Sequence, residues 1–468
     1  MTISSLRQAY NSPTQRGEYL RNYVKISRLG FPILVGQLGM IVVGFADNAM
    51  IGHYSTDSLA ASSFVVNVFN LAILFCLGFT YGLTPLIGAL YSISRNEDIG
   101  ATLRRGVRVN IVVAIIATLV MGVLYFNLDR LGQPEHLLPL IRPYYLLYLA
   151  GILPISLMNT FAQWASAINS TKMPMWIVLA SNIVNIIGNY LLIYGIGFFP
   201  EMGLIGAGIS TLIARWICPI AIFIIFLRVK RYHPYHNGFF RNHSAGETTA
   251  KIVRTSFPIS MQLGFETSSF SIAAIMAGWL GSVQLASYQI IVTVGTLGFC
   301  LYYGLATAVS VLVANESTDG GAMKMRRVAF AGYHLLLIMS AISSALFVFF
   351  GQQLIDIFTD DPAVKAMTLS LIFPLVLYQI ADASQINFAN ALRGTANVVP
   401  MAWIAFISYV IIGIPATYII TFPLGLDIFG IVLSFSVSLL CAAALFIFFF
   451  LRTTRRLAEQ ENRIKKVL

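Results

Sequence analysis

The chain has 468 residues, of which 57% are hydrophobic and 10% are charged, and its formal net charge is +11. This composition excludes a soluble domain of the same length and is typical of an integral membrane protein. The four cysteines lie in apolar stretches without paired spacing. They are therefore interpreted as core residues rather than as disulfide or metal-binding cysteines.

Twelve apolar segments, each long enough to cross a bilayer, follow one another along the chain. They are continuously apolar rather than alternating with polar residues, which indicates helices and excludes transmembrane strands. We number them spans 1 to 12, with predicted bounds 29–51, 59–90, 108–127, 139–162, 174–196, 203–228, 252–279, 284–314, 328–350, 366–391, 399–421 and 427–451. A basic segment before span 3, residues 98–109, is predicted to form a separate amphipathic helix along the inner membrane surface.

The loops between the spans alternate between basic and nearly neutral. If both termini are cytoplasmic, 26 of the 30 Lys and Arg residues fall on the cytoplasmic side, as the positive-inside rule requires. The sequence therefore predicts a multi-pass protein of a plasma membrane, namely a bacterial inner membrane. Topology and anionic lipid explain the net charge, so no nucleic-acid partner is expected.

The two halves of the chain resemble each other. Residues 31–33 (FPI) recur as residues 257–259, and the same offset of 226 relates Gly78 to Gly304. Ordered matches of this kind indicate duplication of a six-span unit, and because six is even the two repeats are parallel. The predicted organisation is a cytoplasmic N-terminal segment, an N-lobe, a cytoplasmic linker, a C-lobe and a basic cytoplasmic tail, with bounds 1–28, 29–228, 229–250, 251–451 and 452–468.

Only three acidic residues lie deep inside the spans: Asp47, Glu266 and Asp382. A carboxylate in hydrocarbon is costly, so such a residue is expected to bind a cation, to move a proton or to form an ion pair. Counted along their helices, Glu266 and Asp382 lie at a similar depth, roughly 14–20 Å from the cytoplasmic end. Tyr378 precedes Asp382 by one helical turn.

We call Glu266, Tyr378 and Asp382 the C-terminal cluster. Two carboxylates and a phenol suit Na⁺ as the metal, or one proton shared between the acids. The alternative is that Glu266 is a buried acid capped by neighbouring Ser and Thr residues.

A second set of polar residues is predicted nearer the outer end of the N-lobe. Asp47, Asn185, Asn189 and Thr211, which we call the N-terminal cluster, are expected to meet at one level and to hold a proton or a cation. The alternative is that Asp47 is a helix-end residue near water. Arg215, one turn after Thr211, is expected to pair with an acid or to extend towards the membrane surface.

Residues 30–61 resemble the first-span signature of the multidrug and toxic compound extrusion family, called MATE, and the resemblance continues at residues 256–289 and 377–400. It covers nearly the whole chain. Glu266 in span 7 together with Tyr378 and Asp382 in span 10 is similar to the NorM-type branch. The resemblance implies an all-α protein of 12 transmembrane helices, in which two parallel six-helix lobes form a V-shaped central cleft.

The resemblance also implies which residues bind the coupling cation. The cation site of that branch corresponds to Glu266, Tyr378 and Asp382. Its N-lobe polar site corresponds to Asp47, Asn185 and Thr211. Asn189 is a departure, because many relatives have Asp at this position. The loss of that carboxylate disfavours Na⁺ in the N-lobe and favours a proton role for Asp47.

The function predicted from these observations is a secondary active transporter rather than an enzyme. It would be a monomeric antiporter that exports amphiphilic, often cationic drugs by alternating access, and its other contact would be membrane lipid. No cofactor is expected beyond the coupling ion, Na⁺ or H⁺. The main alternative is a flippase of lipids or lipid-linked oligosaccharides from the same wider superfamily, although only Arg215 is available to bind a pyrophosphate in the central cavity.

Overall fold

The computed structural model describes residues 15–130, 134–241, 246–316 and 321–467. Within these ranges the chain is almost entirely helical and contains no β-strand. Each of the five predicted segments has a part outside the described residues: 1–14 of the N-terminal segment, 131–133 of the N-lobe, 242–245 of the linker, 317–320 of the C-lobe and 468 of the tail.

The first six spans are helices, and two of them are interrupted by glycine. Spans 2 and 4 are each divided into two helices, at Gly82 and Gly151. Single 3₁₀ turns, Leu128–Arg130 and Glu135–Leu137, lie between spans 3 and 4. The six spans are Gln15–Tyr54, Thr56–Tyr81 with Leu83–Ser92, Asn96–Tyr125, Leu138–Ala150 with Ile152–Ala167, Lys172–Tyr194, and Gly203–Arg228.

The second half begins with the linker, which forms a 3₁₀ helix, Lys230–Tyr235, and a short α-helix, His236–Phe240. Span 10 bends by 45° between its two parts, and span 11 contains a π-helical segment, Phe406–Gly413. Spans 7 to 12 are Thr249–Leu280, Ser282–Asn315, Gly321–Asp356, Pro362–Ser370 with Ile372–Gly394, Val399–Ala405 continuing through the π segment to Ile414–Thr421, and Asp427–Val467.

These helices correspond one to one to the twelve predicted spans. Ten are long and apolar enough to cross a membrane, and the bent pair of span 10 is an eleventh. Span 7 has 32 residues, which is sufficient length, but it is more polar than the others because it carries Glu266 among several Ser, Thr and Gln residues.

The prediction of a separate amphipathic helix at residues 98–109 is wrong. This segment is the beginning of the continuous helix Asn96–Tyr125. Its two glycines, Gly100 and Gly106, do not interrupt the helix, and the segment packs on the linker. The contact is close, because a Cβ atom on Gly100 would lie 2.0 Å from the Tyr235 carbonyl oxygen and one on Gly238 would lie 1.7 Å from that of Glu97.

Contacts within the chain divide it into two compact units, residues 35–260 and residues 261–468 together with those before 35. The unit boundaries therefore fall inside spans 1 and 7, whereas the lobes were predicted to begin near the starts of these helices. The last residues before the two boundaries, Leu34 and Ser260, are 226 positions apart, which is the repeat offset.

Equivalent contacts hold the first parts of spans 1 and 7 in their units. A Cβ atom on Gly304 would lie 2.6 Å from the Leu34 nitrogen, and one on Gly78 would lie 2.7 Å from Ser260 Cα. In each case a glycine lets two helix backbones approach closely, as is common between membrane helices.

The core of the unit 35–260 contains a large aromatic cluster around Trp164, which is fully buried. Phe226, Tyr232 and Tyr235 contact the indole ring edge-on, with ring centroids 5.2–5.8 Å apart. Two of these residues belong to the linker, so this part of the linker is a packed element and not a solvated loop.

Candidate functional site

Asp382 lies at the centre of a buried hydrogen-bond network in the C-terminal unit. Tyr302 Oη is 2.5 Å from Asp382 Oδ2 and 2.8 Å from Gln379 Oε1. Gln379 in turn donates from Nε2 to the Gly295 carbonyl at 2.9 Å. Asp382 is 2% exposed, and Tyr302 and Gln379 are fully buried.

Besides Tyr302, span 8 presents two glycines to Gln379, Gly295 and Gly298. A Cβ atom on Gly298 would lie 2.7 Å from Gln379 Nε2, so glycine at this position leaves the space that the amide occupies. The Tyr302 hydroxyl has one proton for two acceptor oxygens, and it can therefore donate to only one of them at a time.

Glu266 belongs to the same site. It interacts electrostatically with Asp382, and the Gln262 and Tyr409 side chains approach its carboxyl group. Gln262 lies one turn earlier on span 7, while Tyr409 comes from the π-helical segment of span 11. Apart from Glu266, the buried Tyr409 hydroxyl has no hydrogen-bond partner among the described residues.

Tyr378 is the third predicted member, and both carboxyl groups act on its phenol. Its ring packs between Phe270 and Phe435, with centroid distances of 6.4 and 6.3 Å. The structure thus brings together all three residues of the C-terminal cluster, although the predicted role of this cluster in binding a cation is not tested by their proximity.

Sequence reasoning missed four residues of this site: Tyr302, Gln379, Gln262 and Tyr409. Gln379 could have been noticed as a polar neighbour of Tyr378, whereas the tyrosines occur in otherwise apolar helices and give no local signal.

Arg393 is a further charged residue near this site. It lies in the last turn of span 10, is 7% exposed and donates from Nη1 to Asn390 Oδ1 at 3.2 Å. Its charge also acts on Glu266.

The N-terminal cluster is also assembled, as two linked pairs. Asn189 Nδ2 lies 2.5 Å from Asp47 Oδ1, and Asn185 Nδ2 lies 3.2 Å from Thr211 Oγ1. Both asparagines are on one face of span 5 and are buried, with exposed fractions of 3% and 0%. Their Oδ1 atoms have no hydrogen-bond partner among the described residues. One of these acceptors belongs to Asn189, the residue that donates to the Asp47 carboxylate.

Arg215 lies next to this cluster. Its guanidinium carbon is 4.2 Å from the centre of the Tyr148 ring, an attractive cation–π contact, and its charge acts on Asp47. Gly151 provides the space, because a Cβ atom there would lie 2.4 Å from Arg215 Nη1. The contact observed for Arg215 is therefore with an aromatic ring, and its pairing with an acid stays a prediction.

Neither cluster offers a site for a tightly bound metal. Among the described residues no group of three His, Cys, Asp or Glu side chains could hold a metal ion. A monovalent cation at the C-terminal cluster would instead be bound by two carboxylates and neutral oxygens, which suits Na⁺.

A model of the MatE family matches residues 32–191 and 258–419, which together make up more than half of the chain. The two matches begin 226 residues apart, so they confirm the internal repeat. The chain belongs to the MatE family. It is accordingly a membrane transporter of NorM type and not an enzyme.

Two curated relatives are both 27% identical to the chain. The alignment with "Probable multidrug resistance protein NorM" of Geobacillus kaustophilus covers 92% of this chain and 95% of the relative. The alignment with "Multidrug resistance protein NorM" of Photobacterium profundum covers 86% of this chain and 88% of the relative.

Solved structures of the family share the fold at low sequence identity. A MOP superfamily transporter from Pyrococcus furiosus matches with a TM-score of 0.84 at 17% identity, covering 98% of this chain and 99% of that one. The eukaryotic MATE transporter AtDTX14 matches with the same TM-score at 16% identity, covering 95% and 100%. The prediction of an all-α fold built from two six-helix repeats is confirmed.

Proposed function

We propose that the protein is an antiporter that exports amphiphilic, often cationic drugs in exchange for Na⁺ or H⁺, by alternating access. The observation that supports this most directly is the electrostatic interaction between the buried carboxyl groups of Glu266 and Asp382 inside the apolar C-terminal unit. Two carboxylates at such a place repel each other and are poorly solvated, so a proton or a Na⁺ ion that enters there is stabilised.

Ion and drug are exchanged if the drug binds well only while no ion occupies the acidic residues. An ion bound at the C-terminal cluster neutralises it, which lowers the affinity for a cationic drug, and departure of the ion restores the negative charge. Each elementary charge that moves across the membrane supplies about 2.3 kcal/mol per 100 mV. Exchange of two monovalent ions for one monovalent cationic drug moves one net charge and is driven partly by the membrane potential, whereas exchange of one ion moves no net charge and is driven by the ion gradient alone.

The N-terminal cluster supplies a second polar site. Asp47 and the free oxygens of Asn185 and Asn189 are all acceptors, so this site suits a proton, an ammonium group or another cation. The names of the relatives support drugs as cargo. The proposal also includes the predicted bacterial inner membrane, the cytoplasmic termini and the monomeric state.

The test uses the purified protein in proteoliposomes, with a Na⁺ gradient alone and then a pH gradient alone. We expect one of the gradients to drive ethidium efflux. Asp382→Asn and Glu266→Gln should each abolish it, because each removes one ionisable group of the pair. Asp129→Asn is the control, since Asp129 forms an exposed ion pair with Arg142, with a nitrogen–oxygen distance of 2.8 Å, and such pairs contribute little.

Wild-type rates in either cluster variant would remove the C-terminal cluster from the mechanism. Absence of ethidium and norfloxacin efflux by the wild-type protein under both gradients would contradict the proposed function itself.

A further inference from the structure

Span 3 carries a stripe of exposed apolar side chains that ends in an arginine. Arg108, Val112, Ile115, Ile116 and Leu119 recur at intervals that place them on one face of this helix. The four apolar members have exposed fractions between 49% and 64%. From Arg108 to Leu119 the face is about 17 Å long, which is close to the hydrocarbon depth of one bilayer leaflet, about 15 Å.

Arg108 belongs to a group of positive charges at this end of span 3. Arg104 lies one turn earlier, and the charges of Arg105 and Arg108 both act on it. Arg104 also fixes the linker beside the group, because its Nη1 donates to the Arg241 carbonyl at 2.6 Å. The Arg241 side chain is exposed, and so is the preceding Phe240, with an exposed fraction of 57%. We call Arg104, Arg108, Arg241 and Phe240 the basic end of the stripe.

The neighbouring acidic residues leave the charge of Arg108 uncompensated. Asp98 and Glu247 each form an ion pair with another basic residue, and Glu97 lies roughly 17 Å from Arg108 along the helix axis. Arg108 is exposed and has no hydrogen-bond or ion-pair partner among the described residues. Its guanidinium group is therefore available to a ligand from outside the chain.

Charge and shape together indicate which ligand this surface fits. A guanidinium group binds a phosphate through two parallel hydrogen bonds, and basic groups next to a membrane span attract anionic lipids. A zwitterionic lipid also carries an ammonium group, which the arginines repel. An acyl chain attached to the phosphate can cover the apolar stripe, because the stripe is as long as one leaflet is deep.

We propose that the stripe and its basic end bind one anionic phospholipid, with the phosphate against Arg108 and an acyl chain along Val112 to Leu119. All of these residues belong to the unit 35–260. The site lies outside both polar clusters, and the proposal does not depend on the proposed function.

The experiment titrates the purified full-length protein in detergent micelles with dioctanoyl phosphatidylglycerol and measures the affinity of the first bound lipid by native mass spectrometry. Dioctanoyl phosphatidylcholine has the same acyl chains and no net charge, and inorganic phosphate is an anion without acyl chains. We expect the wild-type protein to bind phosphatidylglycerol about tenfold more tightly than phosphatidylcholine, which corresponds to about 1.4 kcal/mol.

Arg108→Gln should remove this preference and leave the affinity for phosphatidylcholine unchanged, so the second lipid also reports whether the variant is folded. Arg241→Gln, on the linker, should lower the affinity for phosphatidylglycerol in the same direction, and Arg108→Lys should lower it less than Arg108→Gln does. Arg130→Gln is the matched control. It removes one exposed positive charge beyond the opposite end of span 3 and should behave as the wild type.

Three results would overturn the proposal. Equal affinities of Arg108→Gln and Arg130→Gln for phosphatidylglycerol would show that Arg108 does not contact the headgroup. Equal affinities of the wild-type protein for the two lipids would show that the headgroup charge is not recognised. Displacement of phosphatidylglycerol by an equal concentration of inorganic phosphate would identify an anion site that does not use the apolar stripe.

Discussion

The hydroxyl group of Tyr302 gives the sharpest test of the C-terminal site. Tyr302→Phe keeps the buried ring and its packing and removes only Oη, which is 2.5 Å from Asp382 and 2.8 Å from Gln379. Because the volume is nearly conserved, no large cavity forms, and the change isolates the hydrogen bond.

The expected loss of stability in Tyr302→Phe follows from the number of hydrogen-bond donors that are removed. Asp382 and Gln379 share one hydroxyl proton, so the substitution removes one donated hydrogen bond rather than two. A bond to a charged acceptor contributes about 1.5–3 kcal/mol, and a buried acceptor left without a donor costs a similar amount. We expect the free energy of unfolding to fall by about 1.5–3 kcal/mol. Ion-driven efflux should fall about tenfold or more, because the charged form of Asp382 loses its donor.

The measurements are denaturant unfolding in mixed micelles and ethidium efflux from proteoliposomes. Tyr418→Phe is the matched control, since this tyrosine is 50% exposed and the substitution again removes only a hydroxyl. The unfolding measurement is repeated in the Asp382→Asn background. If Tyr302 acts on Asp382, the two substitutions should depart from additivity by more than about 0.5 kcal/mol.

Two results would refute this reasoning. Equal behaviour of Tyr302→Phe and Tyr418→Phe in both measurements would mean that the buried hydroxyl contributes no more than an exposed one. Additive effects with Asp382→Asn would mean that the hydroxyl stabilises the fold through some group other than the carboxylate.

Two further predictions concern packing. Gly304→Ala and Gly78→Ala should each lower the free energy of unfolding by about 1–3 kcal/mol, because the new methyl group meets backbone atoms. The control is Gly36→Ala, whose methyl group meets nothing within 4 Å and which should be neutral or stabilising. Equal effects at all three sites would contradict the assigned contacts. Arg326→Ala should speed tryptic cleavage beyond residue 451 several-fold, because Arg326 donates hydrogen bonds of 2.7 and 3.0 Å to Thr454 and Leu451 within span 12. Glu459→Gln, which breaks only an exposed ion pair, should leave the cleavage rate unchanged, and a similar acceleration in both variants would contradict this docking.

The number and kind of the helices could be predicted because each span is a long apolar run. Spans 6 and 11 have the predicted bounds, since Gly203 begins one and Pro400 lies in the first turn of the other. The start of span 1 could not be predicted, because residues 15–28 are polar and basic. These residues are helical because they pack against the second half of the chain: Glu18 forms an ion pair with Arg327, and the Tyr23 hydroxyl lies 2.9 Å from His334 Nδ1.

The acidic residues of the site could be predicted from the free-energy cost of placing a carboxylate in an apolar span, whereas their hydrogen-bond partners could not be predicted. A carboxylate in an apolar span is conspicuous whatever surrounds it. A tyrosine in such a span is ordinary, and Tyr302 and Tyr409 are distinguished only by the groups that they reach. Tyr409 depends on a π-helical segment, an irregularity that changes which residues face a site and that often occurs at functional positions. Local sequence does not encode that change.

The repeat explains why the unit boundaries do not coincide with the ends of the lobes. Pro32 and Pro258 each lie two residues before a boundary, and each removes a backbone hydrogen bond, so the helix can bend there at little further cost. The glycines that fix the preceding segments, Gly304 and Gly78, are also one repeat apart. Duplication copied both the proline and the glycine. In each half of the chain, therefore, the first segment of the first span belongs to the unit that is formed mainly by the other half.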